Sequence, residues 1–122
     1  MVTLNRIIIF GNDIKGLTYF YQTNFKLNLI EEIEGEWVVF EAGSIEIAFH
    51  RIGALYQSDK PFRAESNTKL VFDIKEELNN FRNRLIENGV RMKDIKSFDT
   101  SGFLCCDGED IEGNVFQLQQ KR

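Results

Sequence analysis

Residues 4–21 read Leu4-Asn5-Arg6-Ile7-Ile8-Ile9-Phe10-Gly11-Asn12-Asp13-Ile14-Lys15-Gly16-Leu17-Thr18-Tyr19-Phe20-Tyr21. The stretch 4–10 is rich in β-branched and aromatic side chains, and Gly11-Asn12-Asp13 is both a turn signal and a set of helix N-cap candidates. Beyond it Ile14, Leu17, Phe20 and Tyr21 recur at helical spacing within residues 13–23, giving one apolar stripe that can lie on a sheet. Asn24 is expected to close that helix. The chain continues with strands expected at 26–33, 37–40 and 45–50, separated by the turns Glu34-Gly35-Glu36 and Ala42-Gly43-Ser44. The first 50 residues therefore spell β-α-β-β-β.

The same order then returns. Residues 68–74 have strand character. Residues 75–88 carry Leu78, Phe81 and Leu85 at helical spacing, with Glu76 and Glu77 expected in the first turn and Asn88-Gly89 as the stop. Strands are expected at 90–96, 98–106 and 114–119, the last after a turn over 108–113. Between the copies, residues 51–67 hold the only proline, Pro61, with Tyr56 and Phe62 among small and polar residues; this one long connection is a candidate lid. The duplication predicts an α+β fold of two tandem β-α-β-β-β modules, residues 1–50 and 68–122. In it a curled mixed sheet surrounds a cup-shaped cavity within one domain.

Composition narrows the function classes. Fifteen Lys and Arg against nineteen Asp and Glu give a net charge of -4, so no general basic field exists to hold a nucleic acid backbone. Apolar runs such as 7–10 and 38–40 fall far short of the roughly 20 residues of a membrane-spanning helix. Residues 1–6 lack the pattern of a secretion signal, so a cytoplasmic protein is expected. The two cysteines are adjacent, Cys105 and Cys106, a spacing that suits neither a disulfide framework nor a metal site. The single histidine, His50, weighs against any multi-histidine metal centre. No glycine pattern forms a phosphate-cradling loop, and no serine stands in a triad pattern with His50.

Because successive strand residues point to opposite faces, the two sides of each strand can be assigned from the sequence. Ile45, Ile47 and Phe49 belong with the helix, as do Ile7 and Ile9, Leu70 and Phe72, and Phe116 and Leu118. The opposite face then collects Arg6, Glu46, His50, Lys69 and Gln117. Arg6 and Lys69 match on the opening strands, and Glu46 and Gln117 on the closing ones. These polar groups have two plainer readings: the solvent side of half-exposed strands, or an internal Arg6–Glu46 ion pair. The acidic residues Glu31, Glu32, Glu34 and Glu36 read as a solvated sheet edge. Cys105 and Cys106 point to opposite faces as small buried hydrophobes, one of them within reach of the cup.

Asn12-Asp13-Ile14 followed by Tyr19-Phe20-Tyr21, the strand Ile45-Glu46-Ile47, and Gly108-Glu109-Asp110-Ile111-Glu112-Gly113-Asn114-Val115-Phe116-Gln117-Leu118 occur here in an order and spacing that resemble the vicinal oxygen chelate superfamily. That superfamily includes glyoxalase I, bleomycin resistance proteins, fosfomycin resistance enzymes and extradiol dioxygenases. The last segment is similar to the family's Asp-Pro-Asp-Gly-Asn pattern, with Ile111 in place of the proline. More narrowly, residues 104–118 resemble small single-domain glyoxalase-like members to which no defined reaction attaches. The resemblance implies the cup-shaped fold and a homodimer, with modules paired within or between chains. It also implies metal ligands at Arg6, Glu46, Lys69 and Gln117. A guanidinium has no lone pair to give and an ammonium must first lose a proton, and His50 lies a pleat beyond Glu46, so no metal cofactor is expected.

Two functions are then open. One is a metal-free pocket for a small, partly apolar anion, held by Arg6 and Lys69 and oriented by Glu46 and Gln117. The other is a metal-free isomerase or lyase in which His50 or Glu46 moves a proton next to a carbonyl.

Overall fold

The computed structural model describes residues 1–58, 60, 62–65, 67–97 and 102–121. The chain divides into two units, Met1–Phe62 and Arg63–Arg122. Each is a mixed sheet with one long helix, as the duplicated pattern predicts for an α+β fold.

In the first unit, β1 (Arg6–Gly11) runs into α1 (Ile14–Phe25), followed by β2 (Asn28–Ile33), β3 (Trp37–Ala42) and β4 (Ile45–Arg51). The sheet order is β1-β4-β3-β2, with β1 parallel to β4 and the other neighbours antiparallel. Asp13 caps α1 by accepting from the Gly16 amide at 2.9 Å, which satisfies one of the unpaired N–H groups of the first turn. The helix does not stop at Asn24. It runs to Phe25 and closes on Lys26, which takes the left-handed conformation at φ 52°. Asn24 is instead buried on the inner face.

Ile14, Leu17, Phe20 and Tyr21 are all buried as the spacing predicts, and Val38, Phe40, Ile47 and Phe49 of the sheet are buried as well. The Tyr21 ring stacks on Phe49 with centroids 5.0 Å apart, an aromatic contact that adds to the burial itself. The acidic run lies on the edge strand β2, at Glu31 and Glu32, and on the turn after it, at Glu34 and Glu36, and all four are exposed as expected of a solvated edge. Glu31 accepts from the Trp37 indole, Glu34 pairs with Lys15, and Glu36 pairs with Arg51.

In the second unit, β5 (Lys69–Asp73) precedes α2 (Leu78–Glu87), then β6 (Arg91–Met92), β7 (Lys96–Ser97), β8 (Phe103–Glu109) and β9 (Val115–Lys121). The sheet order is β5-β9-β8-β6, with β7 also on β8; β5 and β9 are parallel. The strand expected over 90–96 is thus two short pieces, and residues 98–101 lie outside the described residues. Glu77 is the N-cap of α2 rather than a first-turn residue, accepting from the Asn79 and Asn80 amides at 3.1 and 2.9 Å. Glu76 precedes the helix and binds Arg84 of its last turn. Leu78, Phe81 and Leu85 form the buried stripe, and Phe116, Leu118 and Cys106 are buried in the sheet.

The family-like segment 108–114 proves to be a built turn. Asp110, buried, accepts from the amides of Glu112 and Asn114 at 2.9 and 3.0 Å and from Asn114 Nδ2 at 2.9 Å. Gly113 supplies the positive φ of 84° that the reversal needs. The connection after residue 50 contains a 3-10 turn at Ala54–Tyr56 with Tyr56 exposed. It is tied down where the Ala64 amide donates to the Glu112 carbonyl at 2.7 Å. Pro61 lies outside the described residues.

Candidate functional site

The face of the first sheet opposite α1 is ordered in rows by the strand register. Arg6 stands directly across from Glu46, Ile8 from Ala48, and Phe10 from His50, while Trp37 flanks His50 on the other side. The alternation read from the sequence therefore holds. Arg6 and Glu46 meet, Nε and Nη2 of the guanidinium both donating to Glu46 Oε1 at 2.9 and 2.7 Å. The Arg6 guanidinium also lies over the Trp37 ring, 5.5 Å from its centroid, a cation–π contact that fixes the side chain further. Phe10 and Ile8 remain substantially exposed, at 59% and 49%.

His50 does not join this pair. It is four residues from Glu46, two side-chain repeats rather than one, which at about 3.3 Å per residue is roughly 13 Å along the strand. Its neighbours are aromatic: Phe10 and Trp37, each with ring centroids 5.6 Å away. His50 and Glu46 therefore do not act on one proton together.

On the second sheet the face opposite α2 carries Lys69, Val71, Val115, Gln117 and Asp107. Here the register differs from that of the first unit. Lys69 stands across from Val115, and Gln117 stands between Val71 and Asp107. So the two residues matched by motif to Arg6 and Glu46 are staggered instead of opposed, and Lys69 finds its anion elsewhere. Its Nζ donates to Asp107 Oδ2 at 2.8 Å. Sequence reading missed Asp107 because the last residue before an expected turn carried no signal of its own; extending the strand alternation through Glu109 would have placed it on this face. Among the described residues, Gln117 has no side-chain hydrogen bond.

The four positions that the family resemblance gives to metal ligands thus hold one half-exposed ion pair, a lysine paired to a residue outside the set, and an amide. An arginine paired to Glu46 and a lysine paired to Asp107 offer no lone pair to a divalent cation. Among the described residues, no group of three His, Cys, Asp or Glu is arranged to hold a metal ion. Cys105 stands across from Gln119 and Cys106 from Leu118, on opposite faces as expected, and both thiols are free and buried. Burial pushes the Cys106 thiol up to about 11, which leaves it a packing residue.

The fold defines a class. Over 97% of this chain and 92% of the other, the structure superimposes on lactoylglutathione lyase from Agrobacterium tumefaciens with a TM-score of 0.75 at 14% identity. An integron cassette protein from V. cholerae matches with a TM-score of 0.75 at 16% identity, over 100% of this chain and 97% of that one. A mutant of the fosfomycin resistance protein FosX from Listeria monocytogenes, complexed with Mn(II) and 1S,2S-dihydroxypropylphosphonic acid, matches with a TM-score of 0.78 at 20% identity, over 100% and 92%. The chain has the α+β fold of the vicinal oxygen chelate superfamily, the glyoxalase and bleomycin resistance type. No family model and no curated protein matches its sequence. No helix among the described residues is long and apolar enough to cross a membrane.

Proposed function

We propose that this protein binds a small, partly apolar anion without the help of a metal ion. The observation that carries the reading is that the cations at two of the positions the family resemblance gives to metal ligands are each fixed by a carboxylate but not exhausted. Glu46 uses two donors of Arg6 on a single oxygen, and Asp107 uses one of the three donors of Lys69. The remaining donors can reach an oxyanion, and a cation already held in place loses less side-chain freedom when it does so. Glu46 and Gln117 set orientation, while Ile8, Phe10 and Trp37 contribute apolar contact. The phosphonic acid bound by the FosX mutant is a small anion of this general kind, which supports the reading. Residues 51–67, with Tyr56 and Phe62, are the proposed lid, and the working form is proposed to be a cytoplasmic homodimer.

The test is thermal denaturation in the presence of a panel of small carboxylates, phosphates and phosphonates, for the parent chain and for Arg6→Gln with Lys69→Gln. At least one compound is expected to raise the melting temperature of the parent and to leave the double variant unmoved. A flat response of the parent across the panel overturns the proposal, as does an equal response of the variant.

A second reading rests on His50, which is exposed between two rings and has no side-chain hydrogen bond among the described residues. Such an imidazole can take or give a proton as an isomerase or lyase requires, and Glu46 Oε2 is an alternative base. Exchange of carbon-bound hydrogen in small keto acids, followed by NMR in a chelated preparation, tests this. Exchange lost in His50→Ala, or in Glu46→Gln, supports the reading; no exchange by the parent sinks it.

A further inference from the structure

A second concentration of positive charge lies within the second unit, on the β6–β8 side of its sheet, with Val115 between it and Lys69. A cavity of about 250 Å³ is lined by Arg63, Arg91, Met92, Lys93, Gly108, Glu109 and Val115. Three cations face one carboxylate, in a chain whose net charge is -4. The carboxylate is already engaged. Arg63 Nη2 donates to both oxygens of Glu109, at 3.0 and 2.9 Å. Neither Arg91 nor Lys93 has an ion pair or a side-chain hydrogen bond among the described residues, so the cavity keeps two uncompensated positive charges.

These cations are placed by backbone structure. Arg91 is fixed by its register on β6, directly across from Glu109. The Lys93 amide donates to the Asp107 carbonyl at 2.8 Å, which extends that pairing. Arg63 is held from the other side. Its neighbour Ala64 is tied to Glu112, and its side chain lies over Gly113, where an added Cβ would stand 3.1 Å from the Arg63 Cγ and Nη1. The Asp110–Asn114 turn, β6 and the anchored segment at 63–64 therefore converge on one concavity. Val115, on the same sheet face as Arg91 and Glu109, supplies its apolar contact.

We propose that this cavity is a site for a small oxyanion carrying two negative charges, inorganic phosphate or a phosphate monoester with a short apolar substituent. Arg91 and Lys93 neutralise it, Arg63 donates from the nitrogens that Glu109 leaves free, and the substituent lies on Val115. A guanidinium beside an ammonium recognises such a group better than a carboxylate, because a single negative charge leaves one cation unmatched. Neither Arg6 nor Lys69 lines the cavity, although Lys69 stands across from Val115, so the two sites are told apart by separate substitutions.

The test uses the full chain at low ionic strength, with inorganic phosphate, methyl phosphate and acetate as probes and amide NMR shifts as the readout. Saturable shifts of residues 91–93, 108–109 and 115 are expected with phosphate and methyl phosphate. Affinity is expected to fall at least tenfold in Arg91→Gln with Lys93→Gln and to persist in Arg6→Gln with Lys69→Gln. Both substituted pairs are exposed, and their melting temperatures confirm that they fold. No saturable shift in the parent overturns the site, as does acetate binding as tightly as phosphate. So does undiminished phosphate binding by the Arg91 and Lys93 variant.

Discussion

Replacing Asp110 with alanine removes the carboxylate around which the last turn is built. Three donors lose their acceptor at once: the amides of Glu112 and Asn114 and the Asn114 side-chain nitrogen. The residue is only 5% exposed, so water does not freely take over. Hydrogen bonds to a charged group contribute about 1.5 to 3 kcal/mol each, but three on one side chain do not add in full, because the turn relaxes and admits some solvent. A loss of about 3 kcal/mol is the reasoned figure. For 122 residues the unfolding entropy is of order 0.26 kcal/mol per kelvin, which converts that loss to a fall of about 12 °C in melting temperature. Asp110→Asn keeps an oxygen for the two backbone amides and disturbs the contact with Asn114, so its fall should be about half as large. Thermal denaturation followed by circular dichroism, with urea titration to check that the m-value is unchanged, measures both. An Asp110→Ala melting temperature within about 2 °C of the parent, or an Asn variant as damaged as the Ala variant, refutes the argument that the carboxylate organises this turn.

Phe49→Ala should destabilise by about 3 to 4 kcal/mol, since it removes a fully buried ring that stacks on Tyr21; urea denaturation checks this, and a loss below about 1 kcal/mol would place the core of the first unit elsewhere. Cys106 predicts an alkaline effect whose sign is fixed. Its thiol is raised from 9.0 to about 11 in the folded chain, so the folded state retains the proton where the unfolded one has lost it. Its contribution is therefore complete below pH 9 and lost as pH rises through 11. Stability measured from pH 8.5 to 10.5 should fall less steeply in Cys106→Ala than in the parent, and native Cys106 should resist alkylation at pH 8.

The duplicated pattern was legible because both helices carry their stripe at regular spacing and both sheets alternate cleanly. That is why Arg6, Glu46 and Lys69 could be assigned to their faces before any register was known. What alternation does not contain is the stagger between strands. Arg6 meets Glu46 because β1 and β4 place them opposite, whereas β5 and β9 set Lys69 against Val115, and the lysine turns to Asp107 instead. The cap of α2 was obscured for a chemical reason, since glutamate is an unusual N-cap residue and reads more naturally as a first-turn charge. The cluster at Arg63, Arg91 and Lys93 joins side chains some thirty residues apart in sequence. It depends on long-range ties, Ala64 to Glu112, Arg63 to Glu109 and β6 to β8, that no local pattern announces.

The proposal to be tested is that Arg6 and Lys69, each paired to a carboxylate, bind a small anion without a metal ion. The most direct measurement is calorimetric titration of protein stripped with chelator, and verified free of metal, using the phosphonate or carboxylate that most raises the melting temperature. Repeating it with Mn(II) present completes the comparison. The account predicts the same affinity with and without the metal, and loss of binding in Arg6→Gln with Lys69→Gln. Binding that appears only when Mn(II) is added would contradict it.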